Sequence, residues 1–147
     1  MKVYLDLCSI QRPLDTKSNP RISVEAEAVL GILALCLAGQ LDLISSEALL
    51  FETGRNPYPV RKQYALEVLS TAKIHVDIDA KVEKRAKELQ SVGGVKPLDA
   101  LHLASAEAAQ ADYFCTCDDR LLKRAQEMVE KQTRVVSPLE LIIEVVE

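Results

Sequence analysis

Short apolar runs alternate with longer amphipathic segments along the whole chain. The segments between the runs place apolar residues at helical spacing, and the runs have the length of buried strands. The runs are KVYLD, LDLIS, KIHVD, DYFCTC and RVVS. Because parallel strands need long crossover connections, this alternation predicts an open, mostly parallel sheet with helices on both faces.

Capping residues mark where the helices should begin. Ser23 is expected to start a helix that Gly39 ends, after a loop with the sequence SIQRPLDTKSNPR. The later helices are expected to begin at Ser46, at about Val60, at Asp77 or Asp79, at Pro97, at Asp118 and at the SPLE capping box of Ser137. The helix from Asp118 is predicted to reach Lys131. No repeat or long linker interrupts the pattern, so we expect a single domain over residues 1–147.

Composition excludes several classes of protein. The chain is 48% hydrophobic and 27% charged, which is typical of a globular domain. A net charge of −4 and an aromatic content of only 4% argue against a simple basic nucleic-acid binder and against a base-stacking platform. The N-terminal MKVYLDL is not a signal peptide, and the longest apolar stretch is shorter than the roughly 18 residues of a membrane span. We therefore expect a soluble, cytoplasmic protein with no membrane partner.

The four cysteines, at positions 8, 36, 115 and 117, lack the paired CxxC spacing of a zinc site. Buried thiols in a reducing compartment explain them better than a disulfide does.

Acidic residues follow two of the predicted strands. Asp6 ends the first strand, and Asp118 and Asp119 end the fourth. The carboxyl ends of parallel strands lie at the same edge of a sheet, where such folds bind ligands. Glu52 and Asp99 lie in helices near this edge. Each acid alone has another explanation, as a helix cap, as a complement to a helix dipole or as a surface acid.

Several carboxylates in one crevice would repel one another unless cations neutralise them. A divalent metal site is the simplest explanation, and oxygen ligands favour Mg²⁺ or Mn²⁺ over zinc. Such ions can activate water for phosphodiester hydrolysis. The chain has no Walker loop and no GxGxxG motif, so nucleotide-triphosphate and dinucleotide binding have no support.

The stretches VYLD, LDALHLASA and TCDDRLL resemble the motifs of PIN domains, in order and over essentially the full chain. The resemblance implies a three-layer α/β/α sandwich around a mostly parallel sheet of about five strands. It also implies metal-dependent endoribonuclease activity, as in the VapC-like toxins of toxin–antitoxin pairs. The metal-binding and catalytic residues would be Asp6, Glu52, Asp99 and Asp118.

The resemblance also implies accessory residues. Asp119 is an accessory acid or a cap of the following helix, and Thr116 is similar to a hydroxyl residue that often precedes the last acid by two positions. Many of the toxins have a Thr/Ser-Asn pair after the first aspartate, whereas this chain has Leu7-Cys8-Ser9, so Ser9 would supply the polar group. Glu47 is the alternative to Glu52, because residues five apart lie about 140° apart around a helix.

Basic residues flank the proposed site. Arg120, Lys123 and Arg124 share one face of the helix after Asp118 and could bind RNA. Further cations that could guide an RNA backbone are Arg12, Arg55 and Lys96, although all six could be ordinary solvated side chains. His102, three residues after Asp99, is expected to pack and orient Asp99 or a backbone group. A general base or a phosphate ligand is the alternative for His102.

Three functions compete. The first is an Mg²⁺- or Mn²⁺-dependent endoribonuclease, either an RNA-processing enzyme or a toxin with an antitoxin partner. The second is a catalytically inactive PIN-like module that binds RNA or protein. The third is a receiver-type phosphoacceptor, which is disfavoured because the acid pair comes late in the chain. The apolar segments VLGILALCLAG and LELIIEVVE favour a homodimer, although the second segment could equally pack on the sheet.

Overall fold

Five strands form one parallel sheet with β1 at its centre. The computed structural model describes residues 1–128 and 132–147. The strands are β1 (Lys2–Leu5), β2 (Asp42–Ser46), β3 (Ile74–Val76), β4 (Tyr113–Cys115) and β5 (Arg134–Val136). Their order in the sheet is β3-β2-β1-β4-β5, and every neighbouring pair is parallel. The predicted sheet is confirmed, and its strand order reverses between β1 and β4.

Helices flank this sheet, which confirms the predicted α/β/α sandwich. Within the described residues they are α1 (Leu7–Gln11), α2 (Pro20–Leu37), α3 (Glu47–Gly54), α4 (Pro59–Ser70), α5 (Ala80–Gly93), α6 (Pro97–Ala108), α7 (Asp119–Met128) and α8 (Pro138–Val146), with a 3-10 turn at Arg12–Leu14. None of these helices combines the length and the apolar character that a bilayer crossing requires.

The core lies on both faces of the two central strands. Val3, Tyr4 and Leu5 of β1 and Phe114 and Cys115 of β4 are completely buried. A strand covered on both faces needs no alternation of polar and apolar residues, which explains the continuous apolar runs in the sequence. The polar groups that the protein keeps near the centre must therefore find partners inside it.

The start of α2 differs from the prediction. Asn19, not Ser23, caps this helix, because its Oδ1 accepts a hydrogen bond from the backbone N–H of Ile22 at 3.1 Å and Pro20 occupies the first turn. The preceding segment, predicted as a loop, contains α1 and the 3-10 turn. Asp79 is the cap of α5 among the two alternatives.

Other predicted helix ends agree with the structure. Ser46 caps α3, and Ser137 forms a capping box with Glu140 at the start of α8. The described part of α7 ends at Met128. Its predicted end at Lys131 lies outside the described residues.

A buried carboxylate fixes the segment between α1 and α2. Glu25 is only 1% exposed, and its Oε1 accepts hydrogen bonds from two nitrogens of Arg12 at 2.7 and 3.0 Å. Arg12 also pairs with Asp15 at 3.0 Å, and Asp15 pairs with Arg61 of α4 at 2.7 Å. Arg21 approaches the second oxygen of Glu25 at 3.4 Å. Arg12 is thus engaged within the protein.

We predict that Arg12→Ala lowers the free energy of unfolding by about 3 kcal/mol, because Glu25 would stay buried with only the more distant Arg21 to compensate its charge. Urea unfolding at neutral pH measures the loss. Lys73→Ala is the matched control, because Lys73 and Asp42 form an exposed pair at 3.8 Å whose loss should cost less than about 1 kcal/mol. Equal effects of the two substitutions would contradict the role of the buried pair.

Candidate active site

Two of the predicted acids lie where the strand order reverses. Asp6 follows β1 directly, and its backbone N–H donates to the carbonyl of Cys115, at the end of β4, at 3.1 Å. Asp118 comes three residues after Cys115. The loops that carry these two acids therefore leave adjacent strands side by side, at the position where open parallel sheets bind ligands.

Asp6 is buried and held by a shell of donors. Its Oδ1 accepts hydrogen bonds from the backbone N–H of Ser9 at 3.0 Å and from the thiol of Cys8 at 3.1 Å. The hydroxyl of Thr116 also bonds to this carboxylate. Burial raises the pKa of Asp6, although all these donors act in the opposite direction. The charged form of Asp6 is therefore costly in this protein without a further positive charge.

Asp99 lies close enough to the other three predicted acids for their charges to affect its pKa. It lies in the first turn of α6 and is half-buried. Burial raises its pKa, the neighbouring His102 lowers it, and the charges of Asp6, Glu52 and Asp118 raise it further. The structure thus places Asp6, Glu52 and Asp118 each within electrostatic reach of Asp99; we call these four residues the acid cluster.

The two predicted hydroxyl residues, Thr116 and Ser9, form hydrogen bonds in the loops that carry Asp6 and Asp118. Thr116 accepts a hydrogen bond from the backbone N–H of Asp118 at 3.0 Å and bonds to Asp6, so one hydroxyl links the two loops. Ser9 is completely buried, and its hydroxyl donates to the carbonyl of Cys115 at 3.2 Å. Thr116 therefore orients Asp6 through its hydroxyl, whereas Ser9 orients it through its backbone N–H.

The two adjacent aspartates have different partners. Asp118 caps α7, because its Oδ1 accepts from the backbone N–H groups of Arg120 at 3.0 Å and Leu121 at 3.3 Å. Asp119 forms a bidentate pair with Arg21 of α2, at 2.6 and 2.8 Å, and this pair lowers the pKa of Asp119. Of the two alternatives for Asp119, the helix cap is excluded, because its side chain pairs with Arg21 instead. The role of an accessory acid stays a prediction.

Glu52, rather than Glu47, is the glutamate of the acid cluster. Glu47 accepts a hydrogen bond from the backbone N–H of Ile78 at 2.9 Å, which turns it toward the loop after β3. Glu52 Oε1 lies 2.8 Å from Nε2 of the buried His102. His102 is packed in the interior, as expected, but its direct partner is Glu52 rather than Asp99 or a backbone group.

Sequence reasoning missed two residues that bond to one another behind the cluster, Tyr4 and Ser46. The Tyr4 hydroxyl lies 2.7 Å from both Ser46 Oγ and His102 Nδ1. The available signal was a tyrosine inside a fully apolar strand, since a buried tyrosine hydroxyl usually requires a partner.

A cleft of about 420 Å³ opens beside Asp99 and Asp118. Its other lining residues are Gly94, Val95, Lys96, Arg120, Leu121 and Arg124. Arg124 Nη1 donates to the carbonyls of Gly93 and Gly94 at 3.1 and 2.8 Å, so it fixes the turn that forms one wall. Lys96 and Arg120 have no side-chain ion pair or hydrogen bond within the described part of the chain, and Lys123 is exposed outside the cleft.

The chemistry of the acid cluster fits a hard divalent cation. Its four candidate ligands are carboxylates, and because burial raises the pKa values of Asp6 and Asp99, a bound cation would stabilise their charged forms. Among residues 1–128 and 132–147, however, no three acidic, histidine or cysteine side chains are arranged closely enough to hold a metal ion. The carboxylates would have to move closer together to bind one.

Comparisons with known proteins agree with this architecture. The PIN domain family model matches residues 21–128. Among solved structures, VapBC2 from Rickettsia felis, bound to a DNA fragment from their promoter, is 15% identical, with a TM-score of 0.62 over 93% of this chain and 98% of that chain. FitAcB from Neisseria gonorrhoeae is 17% identical, with a TM-score of 0.61 over the same shares of the two chains.

A third similar structure is PAE2754 from Pyrobaculum aerophilum, which is 15% identical with a TM-score of 0.61 over 99% of this chain and 90% of that chain. At these identities the likeness shows the fold alone. No curated protein sequence matches the chain.

We predict that Asp99→Asn stabilises the metal-free protein at pH 7, by ~0.5–2 kcal/mol. Because its pKa is raised in the folded state, Asp99 binds its proton more tightly there than in the unfolded chain. The wild-type free energy of unfolding therefore falls as pH rises from the ordinary aspartate pKa through the raised value, and it stays lower above it. The advantage of Asp99→Asn should shrink as pH falls toward about 4.

Urea unfolding in EDTA over this pH range measures the difference. Asp77→Asn serves as the control, because Asp77 is exposed and its ion-pair partner is His75 at 3.2 Å. A pH-independent difference, or a destabilised Asp99→Asn protein at pH 7, would contradict the prediction.

Proposed function

Because this chain belongs to the PIN domain family, we propose that it is a metal-dependent endoribonuclease that hydrolyses RNA phosphodiester bonds. PIN domains are generally nucleases. The observation that supports the proposal is that Asp6, Glu52 and Asp118 each lie within electrostatic reach of Asp99. Asp6 follows the strand beside which the strand order reverses, and the pKa values of Asp6 and Asp99 are raised.

The acid cluster would hold Mg²⁺ or Mn²⁺. When bound, such a cation would activate a water molecule and stabilise the oxygen that leaves the phosphorus. The residues of the chain would position the reactants. Thr116, Ser9 and Cys8 fix the carboxylate of Asp6 from the protein side, and Asp118 is fixed by its bonds to the start of α7. Carboxylate oxygens that are not engaged in this way remain to accept hydrogen bonds from the attacking water.

The cleft beside Asp99 and Asp118 would hold the RNA backbone. Lys96 and Arg120 line it and, within the described residues, pair with no acidic side chain, so they can meet phosphate groups. Arg124 is engaged by two backbone carbonyls and would chiefly shape the cleft. Lys123 lies outside the cleft and would contact only RNA that extends beyond it.

We also propose that the protein acts in the cytoplasm as the toxin of a toxin–antitoxin pair, as a homodimer. Its structural similarity to VapBC2 and FitAcB supports an antitoxin partner. A basic segment of such a partner would suit the acid cluster by charge. Adding the purified product of the adjacent gene to an RNA cleavage assay tests the partner: inhibition would support an antitoxin, and unchanged cleavage would exclude that product.

A second candidate function is a catalytically inactive module that binds RNA or protein. One observation favours it, namely that no three described metal-ligating side chains are close enough to hold an ion as they stand. Binding that does not depend on metal, without turnover of RNA, would identify such a module.

We predict that the wild-type protein cleaves a mixed pool of single-stranded RNA with Mg²⁺ or Mn²⁺ and not with EDTA. Asp99→Asn should reduce the rate at least about 100-fold, because it removes a charged ligand at the centre of the cluster. Asp77→Asn, the matched control, should retain wild-type activity. Cleavage that survives Asp99→Asn would exclude this site, and binding without cleavage under every metal would favour the inactive module.

We predict that Arg120→Ala weakens RNA binding several-fold and lowers the dependence of log affinity on log salt concentration by about one unit, because one phosphate contact is lost. Fluorescence anisotropy at several salt concentrations measures both quantities. Lys87→Ala is the control, since Lys87 is an exposed cation on α5 outside the cleft. An unchanged salt dependence for Arg120→Ala would place the RNA elsewhere.

A further inference from the structure

An uninterrupted row of hydrogen bonds runs through the core to Glu52. It begins at the N-terminus of α3, where the backbone N–H of Leu49 donates to Ser46 Oγ at 3.0 Å. Ser46 Oγ lies 2.7 Å from the Tyr4 hydroxyl, which lies 2.7 Å from His102 Nδ1. His102 Nε2 lies 2.8 Å from Glu52 Oε1. We call this row the core hydrogen-bond chain.

The part of the core hydrogen-bond chain from Ser46 to His102 is shielded from water, whereas the Glu52 side chain at its end is 35% exposed. Ser46 and Tyr4 are completely buried, and His102 is only 1% exposed. The Tyr4 ring stacks on Phe114 with centroids 5.3 Å apart and meets His102 edge-on at 5.9 Å, so neither ring can swing away. The Tyr4 hydroxyl carries a single hydrogen, so it can donate one hydrogen bond.

Counting hydrogens fixes the direction of every bond. Ser46 Oγ accepts from Leu49, so its own hydrogen is free to be donated to Tyr4. Tyr4 then donates its hydrogen to His102 Nδ1, which must be unprotonated. The imidazole hydrogen is left on Nε2 and points at Glu52.

The opposite direction fails at both ends. If His102 carried its hydrogen on Nδ1, its Nε2 lone pair would face the Glu52 carboxylate at 2.8 Å. Tyr4 would then donate to Ser46, and the Ser46 hydrogen would have no acceptor in this row. Only one direction satisfies all the groups.

Resting on the proposed nuclease function, we propose that Tyr4 and His102 are positioning residues that hold Glu52 toward the acid cluster through this one-way chain. Glu52 Oε1 is engaged by His102, while Oε2 accepts no hydrogen bond within the described residues. One oxygen is therefore anchored and the other stays available to a cation. Groups that orient metal-binding side chains in this way usually affect metal affinity about 10–100-fold.

Tyr4→Phe tests the proposal with the smallest change. This substitution removes one oxygen and keeps the ring that stacks on Phe114. Without the tyrosine hydroxyl, nothing determines which nitrogen of His102 carries the hydrogen. Tyr113→Phe is the matched control, because Tyr113 is buried on the adjacent strand β4, away from Glu52. A second pair of variants is His102→Gln, which can still present an N–H at the Nε2 position, and His102→Asn, which cannot.

Two measurements use metal-free protein. Nitrogen-15 NMR of His102 should show unprotonated Nδ1 and protonated Nε2 in the wild type, and a mixture of the two tautomers in Tyr4→Phe. Carbon-13 relaxation should show an ordered Glu52 side chain in the wild type, Tyr113→Phe and His102→Gln. The same side chain should be more mobile in Tyr4→Phe and His102→Asn.

The third measurement is Mn²⁺ binding by electron paramagnetic resonance. Tyr4→Phe and His102→Asn should raise the dissociation constant about 10-fold, and His102→Gln and Tyr113→Phe less than about threefold. If Tyr4→Phe does not fold, the two His102 variants decide alone. If the wild-type protein binds no Mn²⁺ but gives the expected NMR results, the proposed metal-dependent nuclease function is overturned. The direction of the core hydrogen-bond chain would still be supported. Wild-type order of Glu52 in both Tyr4→Phe and His102→Asn would overturn the positioning role.

Discussion

Repulsion among carboxylates held at one edge of the sheet is the constraint on which this structure depends. A chain that places Asp6 and Asp118 at neighbouring strand ends must hold them there against their own charge. The fold does this mainly with uncharged donors, namely backbone N–H groups, thiols and hydroxyls. Burial is the largest cause of the raised pKa values of Asp6 and Asp99, and the charges of other carboxylates add to that of Asp99. No arginine or lysine is paired with either side chain in the described residues. A cluster built in this way gains most from a cation that comes from solution.

The basic side chains around the site fall into two groups, those that are bonded within the protein and those that remain available at the cleft. Arg12 and Arg21 balance Glu25 and Asp119 on the α2 side, and Arg124 is bonded to backbone carbonyls. Lys96 and Arg120 remain at the cleft. Positive charge next to the acids is therefore divided between structural pairs and two side chains that can meet a ligand.

The sequence alone predicts the sheet and the helices well, because the buried strands are continuous apolar runs and because residues such as Ser46 and Ser137 are strong caps. It also places Asp6 and Asp118 together, since parallel strands end at one edge. The start of α2 was missed because Asn19 and Ser23 are both good caps, and only the position of Pro20 distinguishes them.

Long-range partners could not be predicted. Asp118 and Asp119 have identical side chains, and what separates them is Arg21, which lies 98 positions from Asp119 in the sequence. The bond between Glu52 and His102 joins residues 50 positions apart, and Tyr4 is 98 positions from His102. Such pairings depend on how helices settle on the sheet, and one sequence carries no local pattern for them.

The burial of Tyr4 also bears on when during folding the acid cluster acquires its geometry. Its hydroxyl joins β1 to Ser46 at the end of β2 and to His102 of α6, across sequence separations of 42 and 98 residues, so these three segments must dock before Glu52 has its anchor. Contacts of such long range carry a loop-closure cost that is repaid only as the core closes. A partly folded or newly synthesised chain would therefore possess all four acids without their arrangement. For a protein proposed to cut RNA, this ties the onset of activity to completion of the fold.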